Sequence, residues 1–436
     1  AVTAGRFLAN TTDSVLYAYR DKTTSAGFLN FYRPPTLNTY KKVASLVDLA
    51  PRVAGGTDFI DLASGDLDGE LDANGEYRDE AVVAWAQKSA DNKLPVSISV
   101  LAFGGATEAS PVPTGTTTAV APGKLDSASI IAGTIRPVDN ALAVAVGDFN
   151  GDSVKEIAVA YLTSPTTLNL DIYQYSVTIV DHTLQRSLTR VGGTIVTLTG
   201  NYKWNESLTL AAGDFDGAAD PDTDIRRDEL ALGTSERMIN SPTSHRQDVR
   251  LRIFRFTCAD GVGCTTNPNL TVTPAGPYDL PDALTDDGTG PARKVQLAAG
   301  LFKVDPVNGW DFNRRQLVAA YSIGSPGDLG PRVRTIEVQS NFSLALSNPT
   351  DYYGFQRFWL AAGGFEGSRS SSNPLWSIAL TMWGGTTYRL EMLQPAPALN
   401  RPVFWARTTS TTAIVAPNGA RMPVVAVDTD GDSMAL

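Results

Sequence analysis

The chain has 436 residues, 42% of them hydrophobic and 19% charged, which marks a globular chain with ample length to bury a core. Its formal net charge of −10 disfavours nucleic acid and anionic membrane surfaces as partners, since both attract basic patches. No run of about 18 apolar residues occurs, so no helical membrane insertion is expected.

Read in chain order, one phrase recurs: a short apolar run, a glycine, a pair resembling Asp-Phe, a polar loop and a second apolar run. It opens with Val2–Phe7 followed by Val15–Tyr19, and returns as Leu62–Gly69 followed by Ala81–Trp85. The third copy is Val144–Gly151 with Ile157–Tyr161, and the fourth is Leu210–Gly217 with Leu230–Gly233. The fifth is Leu297–Phe302 with Leu317–Tyr321, and the sixth is Leu360–Gly367 with Ile378–Met382. A seventh begins at Val424–Gly431 and is incomplete at Leu436: completion of its strands beyond that residue would make seven blades, and a different domain there a six-bladed ring. The copies start near residues 2, 60, 142, 208, 295, 358 and 423.

The anchor glycines Gly5, Gly65, Gly147, Gly213, Gly300 and Gly363 lie 60, 82, 66, 87 and 63 residues apart. That period, with variable loops, fits four-stranded blades rather than a helical solenoid. The runs rich in Ala, Val and Leu suit strands packed on both faces near an axis. Third segments such as Phe28–Tyr32, Leu170–Tyr175 and Leu251–Phe256 alternate with period two, which predicts half-exposed strands further out. The expected fold is all-β: a single propeller over residues 1–436, of about seven four-stranded blades, six full repeats and one partial.

Three copies carry an acidic loop. In the third, Asp148, Asn150, Asp152 and Glu156 offer oxygen at positions 1, 3, 5 and 9, and the Val154 carbonyl is available at position 7. Calcium takes six to eight hard oxygen ligands at about 2.3–2.6 Å. Carboxylates forced together repel unless a cation joins them, so the spacing points to bound calcium in a structural role. Magnesium fits less well, because it prefers fewer protein ligands in a rigid octahedron.

The stretch Gly147–Val159 resembles the FG-GAP repeat, also called the VCBS-type repeat, found in integrin α-chain heads and bacterial secreted proteins. The resemblance implies a propeller with calcium between the first two strands of a blade. Carried to the other copies, it implies ligands at Asp66 and Asp68 in the second, whose longer loop then departs from the pattern and offers Asp72 and Glu80 as further candidates. In the fourth it implies Asp214, Asp216, Asp220 and Glu229. The insertions in these two loops either hold a second ion or are solvated acidic tips. Arg6, Leu301 and Gly364 replace the first acid in the first, fifth and sixth copies, where no such site is expected. The seventh offers Asp428, Asp430 and Asp432 but has Leu436 at position 9. Two to three structural calcium ions are expected in all.

Cys258 and Cys264 flank a short Gly-containing stretch. A disulfide pinning a hairpin tip in an oxidising compartment is the favoured reading, two neighbouring free thiols the alternative. Asn10, Asn205, Asn269 and Asn341 stand in glycosylation sequons. His182 and His245 look like loop residues, and no nucleophile elbow, zinc-protease, phosphate-loop or dinucleotide motif occurs. The expectation is a secreted or cell-surface, non-catalytic binding or adhesion module for a protein or glycan ligand. The candidate contact residues are Trp204, Trp310, Trp359, Trp376, Trp383 and Trp405, each with blade packing as its alternative role. A structural subunit or spacer of a larger assembly, built with copies of itself or other domains, is the second expectation. A polysaccharide-active enzyme is the third, since paired carboxylates from distant blades leave no motif.

Overall fold

The computed structural model describes residues 1–7, 14–20, 27–36, 39–49, 59–69, 77–86, 94–103, 115–125, 141–164, 166–181, 183–198, 208–217, 226–241, 244–258, 269–281, 284–286, 294–300, 302, 315–324, 329–363, 377–384, 387–396, 404–408 and 413–415. Among these residues there are strands and turns and no helix, so the all-β expectation holds. The chain divides into two compact units, the first being 1–197 with 256–273 and 427–434, the second 198–255 with 274–426 and 435–436.

In the first unit, β1 (Val2–Gly5), β2 (Ser14–Arg20), β3 (Gly27–Thr36) and β4 (Thr39–Leu49) form one antiparallel sheet in chain order. β5 (Phe59–Gly65), β6 (Glu80–Ala86), β7 (Leu94–Ala102) and β8 (Gly115–Leu125) form the second. β9 (Leu142–Gly147), β10 (Glu156–Ser164), β11 (Thr167–Val180) and β12 (Thr183–Thr197) form the third. Each apolar run of the repeat is therefore a first or second strand, and the acidic loop is the hairpin between them.

The same meander recurs in β13 (Leu208–Gly213), β14 (Glu229–Ser241), β15 (Ser244–Cys258) and β16 (Leu270–Asp279), with β17 (Leu284–Asp286) also pairing β15. The second unit holds β15 up to Arg255 and β16 from Pro274. It also contains β18 (Val295–Gly300), β19 (Gln316–Ile323), β20 (Gly330–Val338), β21 (Leu344–Leu346) and β22 (Thr350–Asp351). Its last sheet is β23 (Arg357–Gly363), β24 (Ser377–Gly384), β25 (Thr387–Ala396), β26 (Phe404–Thr408) and β27 (Ala413–Val415).

Sheets pack face to face through the small and branched side chains of these strands. Phe7, Leu16 and Leu29 of the first sheet meet Leu62, Val83 and Leu101 of the second. Ala231, Leu251 and Ile253 of the fourth meet Leu297, Leu317 and Ala319 of the fifth, whose other face meets Phe358, Leu360 and Ile378 of the sixth. Each buried Leu, Ile, Val or Phe among them contributes about 1.5–3 kcal/mol.

Polar bonds also tie first strands together. The Ser64 hydroxyl on β5 donates to the Ala4 carbonyl on β1 at 2.5 Å, and Asp61 Oδ2 on β5 accepts the Val144 N–H of β9 at 2.9 Å. Thr209 Oγ1 on β13 takes the Leu297 N–H of β18 at 3.4 Å, the counterpart of the Asp61 bond. The anchor glycine Gly65 is required by close approach: a Cβ there would lie 2.7 Å from Val146 Cγ1 and 3.0 Å from Lys155 Cδ.

Two expectations change. The third strands are not half-exposed, since Leu170, Asp171, Ile172, Tyr173 and Tyr175 are buried, as are Leu251, Arg252, Ile253, Phe254 and Phe256. Their alternate residues face a neighbouring sheet instead of solvent. The six meanders are also not a clear seven-bladed ring. Residues 423–436 lie outside the described residues, and β12 reaches β16 through a parallel bridge at Gly192 and Leu270. β11 and β12 are 14 and 15 residues long, against six for β9, so the third sheet extends well past its inner strands.

Candidate metal centres

The hairpin between first and second strands is built alike in the second, third and fourth copies. At its fourth position stand Gly69, Gly151 and Gly217, with φ of 65°, 79° and 65°. Glycine is favoured there because left-handed backbone is strained for residues with a Cβ. That conformation turns each glycine N–H onto the first acid: Gly69 to Asp66 Oδ1 at 2.9 Å, Gly151 to Asp148 Oδ1 at 2.7 Å, Gly217 to Asp214 Oδ1 at 2.8 Å.

The glutamate that opens the second strand is buried beneath the loop. Glu80 Oε2 accepts the Leu67 N–H at 2.9 Å, Glu156 Oε2 accepts that of Phe149 at 2.9 Å, and Glu229 Oε2 accepts that of Phe215 at 2.8 Å. Leu67, Phe149 and Phe215 are themselves wholly buried, so the strand glutamate and the apolar side chain fix the loop from two directions. Burial pushes Glu80 and Glu156 up to about 9 and Glu229 to about 8. Asp68 raises Glu80 further, Asp152 and Asp148 raise Glu156, and Asp216 raises Glu229, while the loop N–H bonds pull the other way.

In the second copy, oxygen atoms of Asp66, Asp68 and Glu80 all lie within 4.8 Å of one another. In the fourth copy those of Asp214, Asp216 and Glu229 do the same. Ligands at about 2.3–2.6 Å from a shared ion are separated by no more than roughly twice that distance, so both triads fit a single cation. An all-oxygen donor set suits a hard ion and lacks the nitrogen or sulfur typical of structural zinc. Burial raises Asp66, with Asp68 and Asp79 adding to the shift, and it lifts Asp214 to about 6. These are carboxylates gathered against their own repulsion.

The third copy arranges its oxygens differently. Asn150 occupies the middle, donating through Nδ2 to Glu156 Oε1 at 2.6 Å and to Asp152 Oδ2 at 3.0 Å. Asp148 accepts the N–H groups of Gly151, Asp152 and Ser153, and Asp152 Oδ1 accepts that of Val154 at 2.8 Å. A side-chain amide thus bridges two of the acids here, while the second and fourth copies have a third carboxylate at that position.

Asp72, Asp220, Asp428, Asp430, Asp432 and Cys264 lie outside the described residues, as do His182, Trp204, Trp310 and Trp376. Cys258 is buried at the end of β15, its sulfur 4.0 Å from the Asn150 carbonyl oxygen. Trp359 and Trp383 are half-buried, beside the Lys294 amine at 5.5 Å and the Arg357 guanidinium at 5.3 Å respectively. Asn269 and Asn341 are exposed.

The sequence reading passed over three groups. Gln316 opens β19 where the second, third and fourth copies have glutamate, and its Oε1 accepts the Phe302 N–H at 2.8 Å. Its place just before the Leu317–Tyr321 run was a readable signal. Asp61 lies one residue before an apolar run, and Arg255 is 39 residues from the acid it meets, so neither had a local signal.

No protein family matches the chain, and no curated protein matches it. Among solved structures it is similar to the exotype rhamnogalacturonan lyase YesX, with a TM-score of 0.39 and 12% identity over 96% of this chain. The chain spans 66% of that structure's length. A likeness this distant carries no argument about fold or activity.

Proposed function

We propose that the described meanders are blades of a β-propeller of the FG-GAP type. In this reading calcium neutralises its acidic loops, and the protein is a secreted, non-catalytic binding or adhesion module for a protein or glycan ligand. The observation that carries the metal reading is the triad of the second copy, where oxygens of Asp66, Asp68 and Glu80 converge although Glu80 also accepts a loop N–H. In the third loop Asp148, Asn150, Asp152, Glu156 and the Val154 carbonyl would hold a second ion. The metal's role is structural, because binding to the folded state alone stabilises it by about 2.7 kcal/mol at a hundredfold excess over Kd. The Cys258–Cys264 bond, in an oxidising compartment, belongs to the same proposal.

Binding is the favoured role because the described acids of the three loops are engaged by loop amides or a neighbouring arginine, which gives them structural work. The test is a glycan and protein-ligand array, probed with and without calcium, alongside thermal melting. Calcium-dependent capture of a defined ligand, with melting lowered by chelator, is expected. A melting curve indifferent to excess chelator overturns the metal role, and turnover of a polysaccharide overturns the non-catalytic one.

A further inference from the structure

The fourth loop has a feature that its metal-site geometry does not call for. Asp216, at the third loop position, has a side chain only 2% exposed, and its Oδ2 accepts a hydrogen bond from Arg255 Nη2 at 2.5 Å. Arg255 comes from the third strand of the same sheet, β15. Its guanidinium carbon lies 3.9 Å from the ring centre of Phe342, and Nη2 also reaches the Ser340 carbonyl at 3.4 Å. That turn is itself fixed. Phe342 has φ of 64°, its N–H donates to the Gln339 carbonyl at 2.7 Å, and its carbonyl accepts the Tyr278 hydroxyl at 2.6 Å. A second guanidinium, Arg226 Nη1, stands 3.4 Å from Asp214 Oδ2. Two acids of the triad therefore each have an arginine on one oxygen, and Arg255 is also held by the Phe342 ring and the Ser340 carbonyl.

We infer that Arg255 is the resident cation of the fourth acidic loop and keeps a divalent ion out of it. A planar guanidinium stacked on a ring is pre-organised for its carboxylate, and it is more weakly hydrated than an ammonium group, so it competes well at a partly buried site. A divalent ion entering between Asp214, Asp216 and Glu229 would sit beside that guanidinium and repel it. It would also draw on Asp216, the acid whose Oδ2 Arg255 already holds. The repeat thus preserves its loop geometry while changing the counter-ion from metal to side chain. This inference rests on the proposed metal role of the other acidic loops and decides which loops share it.

The experiment is a titration of the whole chain with terbium, a luminescent calcium substitute, for the wild type and four variants. Arg255→Gln is expected to gain a terbium site, and the Arg255→Gln/Asp216→Asn double variant to lose it again. Asp216→Asn alone is expected to leave the terbium stoichiometry of the wild type unchanged. Loss of a site in Asp216→Asn, or no gain in Arg255→Gln, overturns the inference. Should Arg255→Gln fail to fold, the Asp216→Asn comparison decides by itself. Asp68→Asn reports on the metal role separately. If it removes a wild-type site, that role stands whatever Arg255 does, and if no variant binds terbium, both readings fall.

Discussion

Gln316 Oε1 accepts the Phe302 N–H at 2.8 Å, the bond that Glu156 makes to Phe149 at 2.9 Å, although the fifth copy has lost its leading acid. The residue that opens the second strand is therefore first an acceptor for a buried loop amide and only second a charge. In the fifth copy the leading acid is gone and the neutral isostere remains.

Gln316→Ala leaves the Phe302 N–H buried without its acceptor. Stability is expected to fall by about 1–3 kcal/mol, with the protein's response to calcium unaltered. Urea denaturation in calcium and in chelator measures both.

Glu80→Gln separates the two roles in the second copy. It retains an acceptor for the Leu67 N–H while removing the carboxylate from the triad of Asp66, Asp68 and Glu80. The variant is expected to fold, and the rise in Tm on adding calcium is expected to shrink. An undiminished rise would show that Glu80 takes no part in binding.

Phe149 is wholly buried, and its ring centre lies 4.5 Å from that of Phe256. Phe149→Ala opens a cavity beneath the acidic loop and is expected to destabilise the protein by about 3–5 kcal/mol. A loss within the range of an exposed substitution would mean that the loop does not depend on this anchor.

Asp61 supplies a pH dependence. Loss of hydration raises it from 3.8 to about 6, against the lowering effect of its bond from the Val144 N–H. Between those values the folded protein binds a proton that the unfolded chain has released, so stability falls as pH rises. The contribution is full below 3.8 and is lost as pH passes through about 6. Asp61→Asn keeps an acceptor for Val144 and removes the titration. It is expected to flatten the stability profile between pH 4 and 6 by about 1–3 kcal/mol, read from denaturation midpoints at fixed salt.

Much of the fold was legible because the repeat acts locally. Gly151 and Asp148 are three residues apart, and the bond between them needs only a left-handed glycine and an acid at fixed spacing. First and second strands pair across that hairpin, so the phrase Gly-Asp-Phe and the apolar run behind it were enough to place β9 and β10. The third strands were identified but misjudged for exposure, because the period-two alternation of Leu170–Tyr175 does not show that Tyr173 and Tyr175 are buried along with Leu170 and Ile172.

The candidate site was half legible. Acids at positions 1, 3 and 9 could be named, but whether their oxygens converge depends on position 3. Asp68 and Asp216 complete a triad of carboxylates, whereas Asn150 bridges its neighbours instead. The sequence by itself determined the hairpins with their glycine and leading acid, since each is a relation among residues a few places apart along the chain. Only the tertiary structure decided that Lys155 donates its N–H to the Asp66 carbonyl at 3.2 Å, that Arg315 does the same for Asp214 at 2.7 Å, and that Arg255 reaches Asp216. Those contacts join segments 39 or more residues apart, and packing of one strand or sheet on another, not local backbone preference, brings them together.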